Sequence, residues 1–173
     1  MGTVKRMTRR VLTFDMDGVI AAVEYVPVME RQITAYIGAP VLADRMVFNR
    51  ICLDADVYVI SSRSYRNATQ HTKNWLYAND MPYVTGVICG ILPRDKAALV
   101  HLLNASYHFD DHPKTTEECG KQGVLVRIIE HYKYEPRHAF LRTARNWGDI
   151  ERLCRLPEPK ISYHPEQGNL FRQ

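Results

Sequence analysis

The chain has few cysteines and no two of them close together. Cys52, Cys89, Cys119 and Cys154 are widely spaced and form no C-x-x-C pair, which argues against a structural zinc site. The seven histidines (His71, His101, His108, His112, His131, His138 and His164) show no metal-ligand spacing. They read as surface or packing residues, with His112 the exception because it borders an acidic pair. No apolar run approaches the length of a membrane span, and no secretory signal is visible. The expectation is a cytoplasmic setting with mostly buried free thiols and no membrane partner. There is no internal repeat and no low-complexity segment. Nor does charge of one sign dominate: the formal net charge is +4, compatible with a polyanionic partner without requiring one.

What is present is a soluble globular composition over 173 residues, the size of one compact domain. Apolar runs alternate with stretches of helical spacing. Buried strands are expected at residues 11–14, 57–60, 106–109 and 124–129, with a glycine-interrupted extended stretch at 84–92. Helices are expected at residues 41–53, 67–78, 96–103 and 137–154. Trp75, Leu76, Trp147 and Ile150 read as core anchors. This alternation predicts an α/β fold: a Rossmann-like, doubly wound, mostly parallel sheet. Residues 20–40, broken by Pro27 and by Gly38-Ala39-Pro40, read as a small insertion after the first strand. Tyr25, Arg31 and Tyr36 are candidate substrate contacts there. The division expected is a core over residues 1–155 and a proline-containing tail over 156–173. Lys5, Arg6, Arg9 and Arg10 form a short basic arm, a solubilising lead-in or a phosphate contact.

The stretch around which the chain is organised is residues 10–19, R-V-L-T-F-D-M-D-G-V. A short apolar strand ends in Asp15 and Asp17, and Gly18 lets the chain turn. Taken alone, this is also how a strand followed by an Asp-Gly turn reads. The second strand runs into Ser61-Ser62-Arg63, a set of hydroxyls and a guanidinium fork suited to phosphate, or a serine-rich turn. Lys96 opens a helix, where a cation opposes the helix macrodipole and gains little structurally. The third strand ends in Asp110-Asp111. In a doubly wound sheet the carboxyl ends of the strands share one edge, so one site can collect all of these residues. Clustered acids repel unless a cation or proton is shared, and a hard divalent ion such as Mg²⁺ resolves this. Asp15 is then the candidate nucleophile toward a phosphomonoester and Asp17 the acid and base. Ser61 and Lys96 hold phosphoryl oxygens, Ser62 and Arg63 bind substrate, and the paired acids complete a metal site.

F-D-M-D-G-V at residues 14–19, Ser61 at a strand end, Lys96 at a helix start and F-D-D at residues 109–111 resemble the four ordered motifs of the haloacid dehalogenase superfamily. The resemblance spans about residues 10–130. It implies Mg²⁺ dependence, with metal held by the Asp15 carboxylate, the Asp17 backbone carbonyl and Asp110 or Asp111. The second acid, Asp17, is similar to that of phosphatase-type members and is lacking in dehalogenases. S-S-R at residues 61–63, followed by N-A-T-Q-H-T-K-N-W-L, resembles the phosphatase domain of bacteriophage polynucleotide kinase-phosphatases, although no G-x-x-x-x-G-K-[ST] loop is present. The D-D-x-P at residues 110–113 is similar to that of small 5′(3′)-deoxyribonucleotidases. Both likenesses imply a nucleotide or a 3′-phosphate end of nucleic acid as substrate. The alternatives are a phosphatase for an unrelated small metabolite and a non-catalytic binding protein on the same fold. A receiver-domain reading fails because Lys96 precedes the second acidic pair. A Ca²⁺-loop reading fails for want of spaced ligands.

Overall fold

The computed structural model describes residues 9–22, 36–129 and 142–155. Tyr25, Arg31, most of the basic arm, most of the insertion and the tail lie outside those residues.

The order of elements is β1 (Val11–Phe14), α1 (Arg45–Asp54), β2 (Asp56–Ser61), α2 (Ala68–Ala78), β3 (Gly86–Cys89), α3 (Pro93–Leu102), β4 (Tyr107–Asp110), α4 (Pro113–Glu118), β5 (Gly123–Val126), β6 (Arg142–Ala144) and α5 (Trp147–Arg155). The strands form one six-stranded sheet in the order β3-β2-β1-β4-β5-β6. Every pairing in it is parallel, so the sheet is a doubly wound α/β sheet with no antiparallel strand among the described residues.

The strands are short and apolar because both faces are covered. One face packs Leu12, Phe14, Val57, Val59, Tyr107 and Phe109 against α1, α2 and α5. Phe14 stacks on Phe109 at 4.6 Å and meets Phe48 edge-on at 5.7 Å. The other face meets α3 through Ile60, Ala97 and Val100. Alternation along β1 and β4 puts Thr13, His108 and Asp110 on that second face, and all three are buried. Polar residues inside a sheet need partners, and these find them in one another and in α3.

Two expectations are corrected. Residues 137–154 do not form one helix: β6 covers Arg142–Ala144, and α5 begins only at Trp147. Asn146 separates the two, its side-chain oxygen accepting the Asp149 N–H at 2.9 Å. Helix α1 starts at Arg45 rather than at residue 41, because the Asp44 carboxylate accepts the Val47 N–H at 3.1 Å and caps it. Chain outside the helix binds the first loop: Ala22 N–H donates to Pro40 and Leu42 N–H to Ile20.

Candidate active site

Strand order reverses between β1 and β4: the chain after β1 proceeds outward through β2 and β3, then returns to β4 on the opposite side. Their carboxyl ends therefore open a crevice, where ligands of such sheets bind. Asp15 and Asp17 follow β1, and Asp110 ends β4. The register is locked past the strand, with Asp15 N–H donating to the Phe109 carbonyl at 2.8 Å. Gly18 then adopts φ +80°, a left-handed conformation in which a side chain is strained. Its bare Cα also makes room for Asp111: a Cβ there would lie 2.1 Å from Asp111 Oδ2.

The carboxylates of Asp15, Asp110 and Asp111 bring one oxygen each within 4.8 Å of one another. Lys96 lies buried between two of them, its Nζ 2.8 Å from Asp15 Oδ2 and 2.8 Å from Asp110 Oδ2. Three carboxylates against one ammonium leave an excess of negative charge. Burial pushes the Asp15 carboxyl up to about 7, with Lys96 opposing the rise and Asp110 and Asp17 adding to it. Burial likewise pushes Asp111 up to about 8, reinforced by Asp15 and Asp110. Burial acts on Asp110 in the same direction, but Lys96 and His108 outweigh it and hold this carboxyl below the usual range. Lys96 is raised in spite of its burial, because Asp110 and Asp15 favour its ammonium form. The donors are all hard carboxylate oxygens on converging elements, so the chemistry of the set fits Mg²⁺.

Asp110 is fully buried and accepts from every side. His108 Nε2 lies 3.1 Å from Oδ2, and the His112 N–H donates to Oδ1 at 2.8 Å. His108 Nδ1 is 3.0 Å from Thr13 Oγ1. A neutral ring protonated on Nε2 satisfies both contacts, and burial does lower the His108 pKa. The His112 side chain turns the other way and caps α4, accepting the Thr115 N–H.

Asp17 stands apart from this cluster. Its carboxylate is gripped by Arg63, Nε at 3.0 Å and a terminal nitrogen at 2.5 Å. The other terminal nitrogen donates to Thr72 Oγ1 at 3.3 Å, and the Tyr36 ring covers the guanidinium at 4.4 Å. Ser61 is buried, and its Oγ accepts the Arg63 N–H at 3.2 Å; Ser62 is exposed.

The structure thus gathers Asp15, Lys96, Asp110 and Asp111, with Asp17, Ser61 and Arg63 beside them. It places the Asp17 carboxylate on Arg63 rather than among the other acids. His108, Thr13 and Thr72 were not singled out in the sequence. The first had a legible signal: in Y-H-F-D, His108 lies two residues before Asp110, on the same strand face.

These features define a class of protein, a doubly wound α/β fold with an acid-and-lysine site at its switch point. No family model matches the sequence, and no curated protein matches it. Among solved structures it is similar to a 2-haloacid dehalogenase from Pseudomonas syringae pv. Tomato DC3000, with a TM-score of 0.54 and 9% identity over 84% of this chain and 98% of that one. At such identity the likeness is one of fold. No described helix is long and apolar enough to cross a membrane.

Proposed function

We propose that the protein is a Mg²⁺-dependent phosphomonoester hydrolase that works through an aspartyl-phosphate on Asp15. The observation that carries this reading is the Asp15–Asp110–Asp111 cluster with Lys96 buried against it. Asp15, Asp110, Asp111 and the Asp17 carbonyl would hold the ion, which when bound neutralises carboxylate and phosphate charge.

The Asp15 carboxylate attacks phosphorus; the new O–P bond forms as the ester P–O bond breaks. Asp17 delivers a proton to the departing oxygen. Asp17 then takes a proton from water, whose oxygen attacks phosphorus and releases inorganic phosphate and free Asp15. Lys96 and Ser61 serve the phosphoryl oxygens, where charge shifts during transfer. The neighbour's printed activity acts on 2-haloacids, but a cluster of three acids supports a metal-assisted reaction on a phosphate instead.

Nucleotides or 3′-phosphate ends of nucleic acid are the proposed substrates. The Ser-Ser-Arg and Asp-Asp-His-Pro resemblances and the positive net charge support that class. The test is phosphate release from nucleoside 5′- and 3′-monophosphates, a 3′-phosphorylated oligonucleotide and sugar phosphates, with and without a chelator. Release should require both Mg²⁺ and Asp15, and Asp15→Asn should abolish it while leaving the fold intact. Turnover by Asp15→Asn would remove the nucleophile. Turnover of sugar phosphates alone would remove the nucleic-acid assignment.

A further inference from the structure

Arg63 read from sequence is a phosphate clamp, yet its side chain is 1% exposed and its bidentate fork is already taken by a carboxylate. Its donors go to both oxygens of Asp17 and to Thr72, and its face goes to Tyr36. Tyr36 is in turn stacked on Tyr65, with ring centres 5.6 Å apart. A guanidinium held on so many sides has a fixed orientation, and its bidentate fork transmits that orientation to the carboxylate. Asp17, by contrast, is 26% exposed at the side-chain level and is the open end of the chain of contacts. Each of its oxygens keeps a lone-pair direction turned away from the fork.

On the reading that Asp15 is a phosphatase nucleophile, we infer that Arg63 is a positioning residue for Asp17, not a ligand of the substrate phosphate, and that Tyr36 and Thr72 hold Arg63 in that role. The inference separates two roles that have different kinetic signatures. A phosphate clamp touches the part common to all substrates, so its loss weakens every monoester alike. A group that positions the proton donor matters in proportion to how badly the leaving oxygen needs a proton. A para-nitrophenolate departs without one; a nucleoside alkoxide does not.

The experiment compares kcat/KM of Arg63→Ala on para-nitrophenyl phosphate and on a nucleoside 3′-monophosphate, since kcat/KM reports the steps through leaving-group departure. The nucleoside ester should lose about 100-fold or more, the scale of general acid catalysis, while the nitrophenyl ester stays near wild type. The same variant should release a stoichiometric burst of nitrophenol, because water activation by a misplaced Asp17 leaves the phosphoenzyme standing. Should Arg63→Ala fail to fold, Thr72→Val removes one anchor of the fork at nearly constant volume, and the same selective loss is expected on a smaller scale. Equal losses on both esters, carried by KM, would make Arg63 a clamp and overturn the proposal. So would a gain in kcat/KM, which would mean that the fork withholds Asp17. Wild-type turnover that survives Asp15→Asn would instead remove the parent reading.

Discussion

Asp110 has its environment built before any ligand arrives: a lysine, an imidazole and a backbone N–H all converge on it. A carboxylate held in this way cannot swing to improve a poor fit, so a bound ion must accept its geometry. His108 should therefore matter well beyond its own contact. His108→Leu removes a hydrogen bond to a charged group and leaves the Thr13 hydroxyl with only the Tyr107 carbonyl, 3.3 Å away, at a cost of about 1.5–3 kcal/mol in chemical denaturation. The same change should weaken Mg²⁺ affinity, read calorimetrically, by about 10–100-fold. Unaltered affinity would mean that Lys96 and the His112 N–H suffice. Gly18 tests the other side of the cluster. Gly18→Ala meets Asp111 Oδ2 and forces a left-handed residue to carry a side chain, a strain of about 1–3 kcal/mol. Asp111 must move, so Mg²⁺ binding should fall with this variant even where the fold persists, whereas a bystander Asp111 would leave binding intact.

At the scale of elements, the strands were legible because buried parallel strands read as short apolar runs, and the acids closing β1 and β4 stood out against them. The helices were legible in their bodies and not at their ends. Residues 41–44 carry apolar neighbours that extend the helical spacing, yet Asp44 caps α1 and the chain before it pairs with Ile20 and Pro40 instead. Asp44→Ala should lower stability by about 1 kcal/mol, seen as a lowered Tm with activity retained. The sixth strand escaped notice for a different reason. Arg142-Thr143-Ala144 is three residues long with only Ala144 buried, so it shows neither alternation nor an apolar run; tertiary pairing with β5 makes it a strand. The same limit applies to Arg63. Its position after a strand end announced a phosphate fork, whereas its partners Asp17, Thr72 and Tyr36 come from three separate segments that no local pattern links.

For the whole molecule, the question is how the acidic cluster sets stability against pH. Asp15 and Asp111 have ordinary carboxyl values of 3.8 and are pushed to about 7 and about 8 in the fold. Between those limits the folded chain holds protons that the unfolded chain has released, so stability falls as pH rises, by up to about 1.4 kcal/mol per pH unit for each such proton. The opposing groups act elsewhere. His108, lowered from 6.5, and Asp110, lowered from 3.8, favour the fold less only as pH drops through their ranges. The buried thiols of Cys52, Cys119 and Cys154, pushed to about 12, act in the same sense as the two carboxyls, but only above their ordinary 9.0. From pH 6.5 to 8 the two carboxyls therefore govern, and the metal-free protein should lose Tm steadily across that window. A divalent ion competes with those same protons, so its affinity should climb as they leave. At one fixed Mg²⁺ concentration, about 100 times Kd at pH 8, the ion stabilises by about 2.7 kcal/mol there and by less at pH 6.5, where Kd is weaker, so the gain in Tm is larger at pH 8 and flattens the falling curve. Thermal melts at the two pH values, with Mg²⁺ and with chelator, check this. A metal-free Tm that holds steady across the window would mean that the carboxyls ionise freely in the fold. A Mg²⁺ increment that does not grow with pH would mean that the ion binds away from Asp15 and Asp111.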